Sequence, residues 1–213
     1  NAFTPWKWQP ELKRIAEEEG LICFSSPFDK TSVDFLEAMD VPAYKIASFE
    51  ITDIPLIEYV ASKMKPVIIS TGIATYEDIE GAIAACKRVG NDQIALLKCT
   101  SSYPAPVALA NLRTIPDMRE RFKLPVGLSD HTMSSSVAIA SVALGARILE
   151  KHFILDRGIG GPDAAFSMNK EEFSEMVRCV REVEMALGKP TYELTEKVRN
   201  NRFLICRSRY VCW

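Results

Sequence analysis

The sequence contains two histidines, His131 in GLSDHT and His152 in EKHF, and each follows a short apolar run. Such runs are typical of strands buried on both faces, so each imidazole is expected at a strand end. Two neutral imidazoles on neighbouring strand ends, beside carboxylates, suit a borderline divalent metal such as Mn²⁺ or Zn²⁺. A lone histidine there would more often be a hydrogen-bonded polar residue or a general base. Because both histidines occupy such positions, the metal interpretation is favoured, with open coordination positions for water and substrate.

Hydroxyl side chains form a second group of candidates, because they recur where the predicted strands end. These residues are Ser26, Ser48, Ser70, Thr71, Thr100, Ser101 and Ser129. Many hydrogen-bond donors together with Lys45 are the chemistry of a phosphate or carboxylate cradle. Each hydroxyl alone is equally explained as a strand-ending or helix-capping group, so only the collection indicates a site. Strict alternation puts Lys45 and Ser48 on opposite faces, and both reach one site only if the strand ends near Ala47.

Glu150 and His152 have the same parity on their strand, so both are predicted to face one side while Lys151 faces the other. Glu150 is a candidate to orient a metal ligand or to accept a substrate hydroxyl, and its alternative is a buried structural carboxylate. Asp163 lies in a GGPD turn. It is either a further polar contact at the site or an ordinary turn residue.

Six short apolar runs predict the strands that would carry these residues, and amphipathic helices alternate with them. The runs are LICFS (21–25), AYKIA (43–47), PVIIS (66–70), IALLK (94–98), PVGL (125–128) and RILEK (147–151). This alternation predicts a parallel sheet, either doubly wound or closed into a barrel. No GxGxxG follows a strand, whereas polar residues follow every run, as at the mouth of a barrel. We therefore expect an α/β fold, an incomplete (β/α)8 TIM barrel with six of its eight βα units and the first two missing.

Local signals also predict several helix boundaries. Thr4-Pro5 and Gly20 are expected to bound the first helix, following the early-proline and late-glycine asymmetry of helices. Thr75 and Asp78 resemble a capping box. Residues 134–144 are apolar nearly all round and predict a buried helix.

Composition excludes several classes of protein. The formal net charge is −2, so no basic excess suggests a nucleic-acid or anionic-membrane partner. No apolar run approaches the roughly 20 residues that span a bilayer. The six cysteines show no CxxC spacing, which favours reduced structural thiols in a cytoplasmic protein over disulfides or a zinc site.

Six motifs in fixed order and spacing carry a resemblance to a known family. FSSPF, YKIASFE, STGIAT, LKCTSSYP, GLSDHT and EKHF resemble the sialic acid synthase family. Members of that family condense phosphoenolpyruvate with an N-acylated amino sugar to form a nonulosonic acid. KIASFE and LKCTSSYP resemble the pseudaminic acid synthase branch most closely, because the N-acetylneuraminate and legionaminate branches typically carry Gly in place of Phe49. The resemblance implies a 6-deoxy-AltdiNAc or ManNAc-like substrate and a homodimeric full-length protein.

The resemblance also implies a role for each candidate residue. His131 and His152 match the metal ligands, for Mn²⁺ or Mg²⁺. The positions that hold phosphoenolpyruvate are matched by Lys45, Ser48, Ser70 and Ser129, by Ser26 where Thr is common, and by Ser101 where some branches have Asn. The positions near the sugar are matched by Glu50, Tyr103, Glu150 and Asp163. Glu150 and Lys45 are the catalytic candidates.

This sequence departs from the family at both ends. The family's first strand carries a glutamate and its second a lysine, both in the active site, and neither is found here. Residues 1–190 are expected to form a partial catalytic barrel, and residues 191–213 the start of a linker to an absent antifreeze-like domain. The chain alone is therefore expected to be inactive. Two other interpretations stay open, a Schiff-base aldolase that uses Lys98 or Lys151 and a non-catalytic fragment that only binds ligand.

Overall fold

Parallel strands and helices alternate along the chain in a computed structural model that describes residues 4–205. The strands are β1 (Tyr44–Ile46), β2 (Val67–Ser70), β3 (Ile94–Cys99), β4 (Val126–Asp130) and β5 (Leu149–Lys151). The helices are α1 (Gln9–Glu18), α2 (Lys30–Ala38), α3 (Ile54–Ala61), α4 (Tyr76–Arg88), α5 (Thr114–Phe122), α6 (Ser135–Ala143), α7 (Lys170–Leu187) and α8 (Glu196–Ile205). The α/β class predicted from the sequence is confirmed.

The five strands form one parallel sheet in the order β1-β2-β3-β4-β5. Strand order follows sequence order without a reversal, as in a (β/α)8 barrel, whereas a doubly wound sheet reverses at a switch point. The sheet is a curled half-barrel, and the carboxyl ends of its strands lie at one rim. The order of the strands thus supports the barrel predicted from the sequence and not a doubly wound sheet.

The register brings polar residues of adjacent strands side by side. Cys99 lies opposite Ser129, and Ser129 lies opposite Glu150. Because side chains alternate along a strand, these three residues point to the same concave face. The other face packs against the helices, where Ile69 and Leu96 are fully buried. Burying an aliphatic side chain of this size contributes about 1.5–3 kcal/mol, so this outer layer holds the strands in place.

The predicted strand at 21–25 is wrong, and the count of six strands is not confirmed. Only Ser25 forms a bridge, to Tyr44, and the Lys45 amide donates to the Ser25 carbonyl at 3.2 Å. Leu21 and Ile22 are 63% and 76% exposed. This run lies at the edge of the sheet and pairs on one side only, so its apolar residues are not enclosed between two neighbouring strands.

Two helix predictions also need correction, while one is confirmed. Pro5 precedes a short 3-10 turn over Trp6–Trp8, and α1 begins only at Gln9. The predicted buried helix is α6, but it packs mainly against α7 and leaves Ala140 exposed, because an apolar composition does not fix which face is covered. Thr75 and Asp78 do form the predicted capping box at the start of α4.

The part of the chain that follows α7 is described as far as residue 205. Residues 189–202 are exposed, and α8 begins within them at Glu196. The predicted linker, residues 191–213, extends beyond the described residues and stays a prediction. Cys206 and Cys212 also lie outside the described residues. The described cysteines, at positions 23, 86, 99 and 179, are free thiols. None of the described helices is long and apolar enough to cross a membrane.

Candidate functional site

A cavity of about 290 Å³ opens at the rim where the strands end. It is lined by Ser26, Lys45, Ala47, Ser48, Ser70, Tyr103, Ser129, His131, Glu150, Lys151 and His152. The structure therefore brings most of the predicted site residues together at one cavity. The candidates that do not line it are Glu50, Thr71, Thr100, Ser101 and Asp163. Lys45 and Ser48 were expected to reach one site only if their strand ended near Ala47. This is the case, because β1 ends at Ile46 and a 3-10 helix begins at Ser48.

The two histidines lie next to each other on one side of this cavity. Their ring centroids lie 5.3 Å apart, and His131 is 7% exposed. The His152 Nδ1 atom lies 3.5 Å from an oxygen of Asp163. Asp163 does not line the cavity, yet it stands directly behind a histidine that does. The sequence could not show this contact, because Asp163 lies on a loop whose path depends on tertiary packing.

A backbone carbonyl fixes the orientation of His131. Its Nδ1 atom lies 2.9 Å from the carbonyl oxygen of Thr100, which can only accept a hydrogen bond. Nδ1 therefore carries the proton, and Nε2 keeps its lone pair. A backbone carbonyl behind a ligating histidine is the usual arrangement that fixes the tautomer at metal sites.

The pair of histidines fits a divalent metal ion. When two imidazoles bind one ion through metal–nitrogen bonds of about 2.1 Å, their ring centroids lie roughly 5 Å apart. The centroids of His131 and His152 are 5.3 Å apart. No three His, Cys, Asp or Glu residues come together as a metal-binding group within residues 4–205. An ion held by His131 and His152 would thus depend on water and substrate for its other ligands, and this donor set suits a catalytic site better than a closed structural site.

Burial and charge shift the pKa values of the two imidazoles in opposite directions. Burial lowers the pKa of His131, but contacts with Cys99 and the Thr100 carbonyl raise it, and the net pKa lies above the ordinary value. Burial lowers the pKa of His152, and the charge of His131 lowers it further. His152 is thus the imidazole that stays neutral to lower pH.

Opposite the histidines, a buried lysine lies among hydroxyl groups. The Lys45 ammonium donates to Ser70 Oγ at 2.7 Å and lies 3.5 Å from Glu150 Oε2. Ser129 Oγ donates to Glu150 Oε1 at 2.6 Å. Burial lowers the pKa of Lys45, and the charge of Glu150 opposes that shift. Hydroxyl donors around a partly desolvated cation form a cradle for an anionic group.

Two aromatic rings, Tyr103 in the cavity wall and Phe166 behind it, pack against the imidazoles. The Tyr103 ring lies 4.3 Å from the His131 ring and 5.4 Å from the Phe166 ring, centroid to centroid. Phe166 also packs edge-on against His152 at 5.0 Å. These contacts restrict the rotation of both imidazoles, and Tyr103 still exposes 45% of its surface beside them.

With this geometry in place, comparison with known proteins decides the family. The sequence profile of the NeuB family matches residues 1–192. The chain belongs to the NeuB family. The resemblance to sialic acid synthases seen in the motifs is thereby confirmed.

Several relatives of this NeuB chain have names that state an activity. It is 44% identical over 210 residues to the pseudaminic acid synthase of Campylobacter jejuni, an alignment of 99% of this chain and 61% of that protein. It is 38% identical over 201 residues to the N,N'-diacetyllegionaminic acid synthase of Legionella pneumophila, with 92% of this chain and 56% of that protein covered. The chain thus spans about three fifths of the length of these curated relatives.

A solved structure supports the barrel assignment of this NeuB chain. The N-acetylneuraminic acid synthetase of Leptospira borgpetersenii, in complex with citrate, superposes with a TM-score of 0.87 at 30% sequence identity. The match covers 97% of this chain and 72% of that one. The half-barrel therefore corresponds to part of a sialic acid synthase structure.

Sequence reasoning missed two residues at the floor of this NeuB site. Cys99 is 6% exposed and accepts a contact from Ser48 Oγ at 3.5 Å. The Gly72 amide donates to the same Ser48 Oγ at 3.1 Å. A Cβ at Gly72 would lie 2.2 Å from Ser101 Oγ and 2.8 Å from Ser48 Oγ. The alternation of side chains along β3 could have indicated that Cys99 faces the site. No pattern in the sequence indicated Gly72.

Glu50 and Ser101 stand just outside the cavity. Glu50 lies in the 3-10 turn after β1, where its Oε2 atom is buried without a hydrogen-bond partner among the described residues. Burial raises the pKa of Glu50. Ser101 Oγ lies 4.0 Å from Cys99 Sγ. Both residues lie close to site residues, although neither lines the cavity.

The two lysines considered as Schiff-base nucleophiles are engaged elsewhere. Lys98 does not line the cavity, and its ammonium donates to Thr100 Oγ1 at 2.7 Å. The Lys151 ammonium lies 2.7 Å from Asp130 Oδ2 in a pair whose side chains are both 2% exposed. Neither amine is free to attack a carbonyl carbon in the cavity, so the geometry disfavours the aldolase interpretation.

Proposed function

We propose that this chain forms part of an enzyme that condenses phosphoenolpyruvate with an N-acylated amino sugar to give a nonulosonic acid. The observation that carries the proposal is the division of one cavity into two chemically different halves. Paired histidines line one half, and a lysine among hydroxyls lines the other. The names of the relatives, which are pseudaminic and legionaminic acid synthases, support the same reaction class.

We assign the anionic substrate to the half that contains Lys45. Lys45 and Ser70 are proposed to donate hydrogen bonds to the phosphate and carboxylate of phosphoenolpyruvate. Ser129, whose hydroxyl donates to Glu150 Oε1, is proposed to join them once that hydroxyl turns to the substrate. Ser26, Ser48 and Ser101 are proposed to complete this cradle. These donors are held by strands and turns, so they stabilise the substrate's charge without reorganising during the reaction.

We assign the sugar to the half that contains the histidines. His131 and His152 would hold a divalent ion, Mn²⁺ or Mg²⁺, which when bound polarises the aldehyde oxygen of the open-chain sugar. Tyr103 and Asp163 are proposed to contact the sugar, and Glu50 to approach it from the turn after β1. The phenol face beside both imidazoles offers an amphipathic surface for an N-acyl group.

The bond changes follow from the two substrates. C3 of phosphoenolpyruvate bonds to the aldehyde carbon, water adds at C2, and the C2–O bond to phosphate breaks, which releases phosphate and leaves a 2-keto acid. Glu150 is proposed to accept and return a proton at Oε2, which lies 3.5 Å from Lys45 Nζ. Fixing the two substrates in one cavity supplies much of the remaining rate enhancement.

The sugar we propose is the pseudaminic acid precursor, a 6-deoxy-AltdiNAc, with the legionaminate and neuraminate precursors as the alternatives. The motifs around Phe49 and the identity to the Campylobacter pseudaminic acid synthase support this choice. We further propose that residues 1–190 are a partial catalytic barrel of a longer, homodimeric protein. The match of the family profile to residues 1–192 supports that boundary.

A phosphate-release assay on the full-length protein tests the proposal. We expect release with phosphoenolpyruvate and one of the three precursor sugars, loss of release with EDTA, and recovery with Mn²⁺. Lys45→Met and His152→Ala should abolish release, whereas the surface variant Asp117→Asn should retain it. A lysine adduct trapped by borohydride, together with indifference to EDTA, would refute the proposal in favour of an aldolase.

A further inference from the structure

Lys98 is a buried lysine whose ammonium has no carboxylate partner among the residues that the structure describes. It is 8% exposed, and its ammonium contacts only oxygens of the next two residues. Burial lowers the pKa of Lys98. A buried charge without an ion-pair partner destabilises a folded protein, and an apolar side chain would pack there without that cost. Stability alone therefore does not account for a lysine at this position.

The Lys98 ammonium fixes the segment where β3 leaves the sheet. It donates to Thr100 Oγ1 at 2.7 Å and to the Cys99 carbonyl at 3.0 Å. The Thr100 hydroxyl in turn donates to the Leu109 carbonyl at 3.2 Å, so its lone pairs remain for Lys98. Two strong hydrogen bonds from one cation thus hold two consecutive residues in a single conformation.

The segment held by Lys98 contains the acceptor that orients His131. The Thr100 carbonyl lies 2.9 Å from His131 Nδ1, so Nδ1 carries the proton and Nε2 keeps its lone pair. A change in the position of Thr100 would move this acceptor and release the imidazole from its fixed tautomer and angle. The path from Lys98 to His131 thus consists of two consecutive hydrogen bonds through one residue.

We propose that Lys98 is a positioning residue that acts through Thr100 to hold His131 ready to bind a divalent metal. The inference rests on the proposed function, in which Nε2 of His131 is a metal ligand. Lys98 itself touches neither the cavity nor the substrates. Its charge makes the hydrogen bond to Thr100 strong enough to keep the carbonyl in place when the metal binds.

Mn²⁺ titration of the full-length protein, followed by electron paramagnetic resonance of the free ion, tests this role. Lys98→Met should weaken Mn²⁺ binding about 10-fold or more, as is typical when a group behind a metal ligand is removed. Thr100→Val should weaken Mn²⁺ binding to a similar extent. The Lys98→Met/Thr100→Val double variant should bind Mn²⁺ about as tightly as the single variant with the lower affinity, because both substitutions remove the same hydrogen bond. Lys98→Arg, which keeps a donor and a charge, should restore most of the affinity.

A control variant separates positioning from general stability. Tyr44 is fully buried, and its hydroxyl bonds Glu37 on the helix side of β1, away from the histidines. Tyr44→Phe should lower the unfolding midpoint and leave Mn²⁺ affinity unchanged. A Lys98→Met variant that loses stability but binds Mn²⁺ as tightly as the wild type would overturn the positioning role.

A second measurement distinguishes failure of this inference from failure of the proposed function. The Nδ1–H proton of His131 should be observable by nitrogen-15 NMR in the wild type and should exchange faster with water in Lys98→Met. If the wild type does not bind Mn²⁺, or if His131→Ala binds it as tightly as the wild type, the proposed metal role of His131 fails. The NMR spectrum then decides by itself whether Lys98 positions the His131 ring. An unchanged Nδ1–H signal in Lys98→Met would overturn the inference whatever the metal does.

Discussion

The buried pair of Asp130 and Lys151 ties β4 to β5 at the level of the candidate site. Asp130 lies between Ser129 and His131, and Lys151 lies between Glu150 and His152. Lys151 Nζ lies 2.7 Å from Asp130 Oδ2, and both side chains are 2% exposed. Asp130 Oδ1 also accepts the Thr132 amide at 2.9 Å. Loss of one partner would therefore leave a charge without compensation beneath the site.

We expect Asp130→Asn to lower the free energy of unfolding by about 3–5 kcal/mol, the range observed when one partner of a buried ion pair is removed. The asparagine amide oxygen can still accept from the Thr132 amide, so the variant removes the charge and keeps that hydrogen bond. For a domain of this size the loss corresponds to a fall of roughly 6–20 °C in the midpoint of thermal unfolding.

Urea unfolding of a double-mutant cycle measures the effect. Lys151→Met alone should also be destabilising, and the Asp130→Asn/Lys151→Met double variant should recover much of the loss because no charge is left buried. The matched control is Asp117→Asn, which breaks an exposed i,i+4 pair with Arg121 and should cost about 1 kcal/mol or less. Additive losses in the double variant, or a loss for Asp130→Asn no larger than for the control, would refute this reasoning.

Three further predictions follow from other contacts. Gly72→Ala should raise the KM for phosphoenolpyruvate in the full-length protein, because the new Cβ would lie 2.2 Å from Ser101 Oγ, and an unchanged KM would exclude this crowding. Burial raises the pKa of the Cys86 thiol to about 11 from 9.0, so the folded state holds this proton more tightly. Stability should then fall as pH rises from about 9 to about 11, and Cys86→Ala should reduce this slope in urea titrations. Asn91→Ala should cost roughly 2–4 kcal/mol in denaturant titrations, since the fully buried amide bonds two carbonyls and one backbone amide.

The sequence alone was sufficient for the fold class and for much of the candidate site. The runs that became β1 to β5 are short and apolar because parallel strands are covered on both faces. Hydroxyls, carboxylates and both histidines follow those runs, because side chains at the carboxyl ends of parallel strands meet at one rim. Lys45 and Ser48 could be placed together once the strand was required to end near Ala47, and β1 does end at Ile46.

The run at 21–25 shows where local pattern is not enough. Its apolar residues match those of a buried strand, but pairing depends on which neighbours lie beside it, and the run bridges only at Ser25. The exposed part of α6 is a similar case, because apolar composition does not say which face another helix covers. Neighbours distant in sequence decide both outcomes.

Only the tertiary structure could show how the site is held together. The Thr100 carbonyl behind His131 and the Gly72 amide on Ser48 each join residues from different βα units, and the carboxylate of Asp163 reaches His152 from the loop that follows β5. No periodicity records such contacts, because they depend on the curl of the sheet and the paths of the loops. Residue types and spacing thus determined which chemistry this chain can carry, and packing between distant segments determined which atoms point at each other.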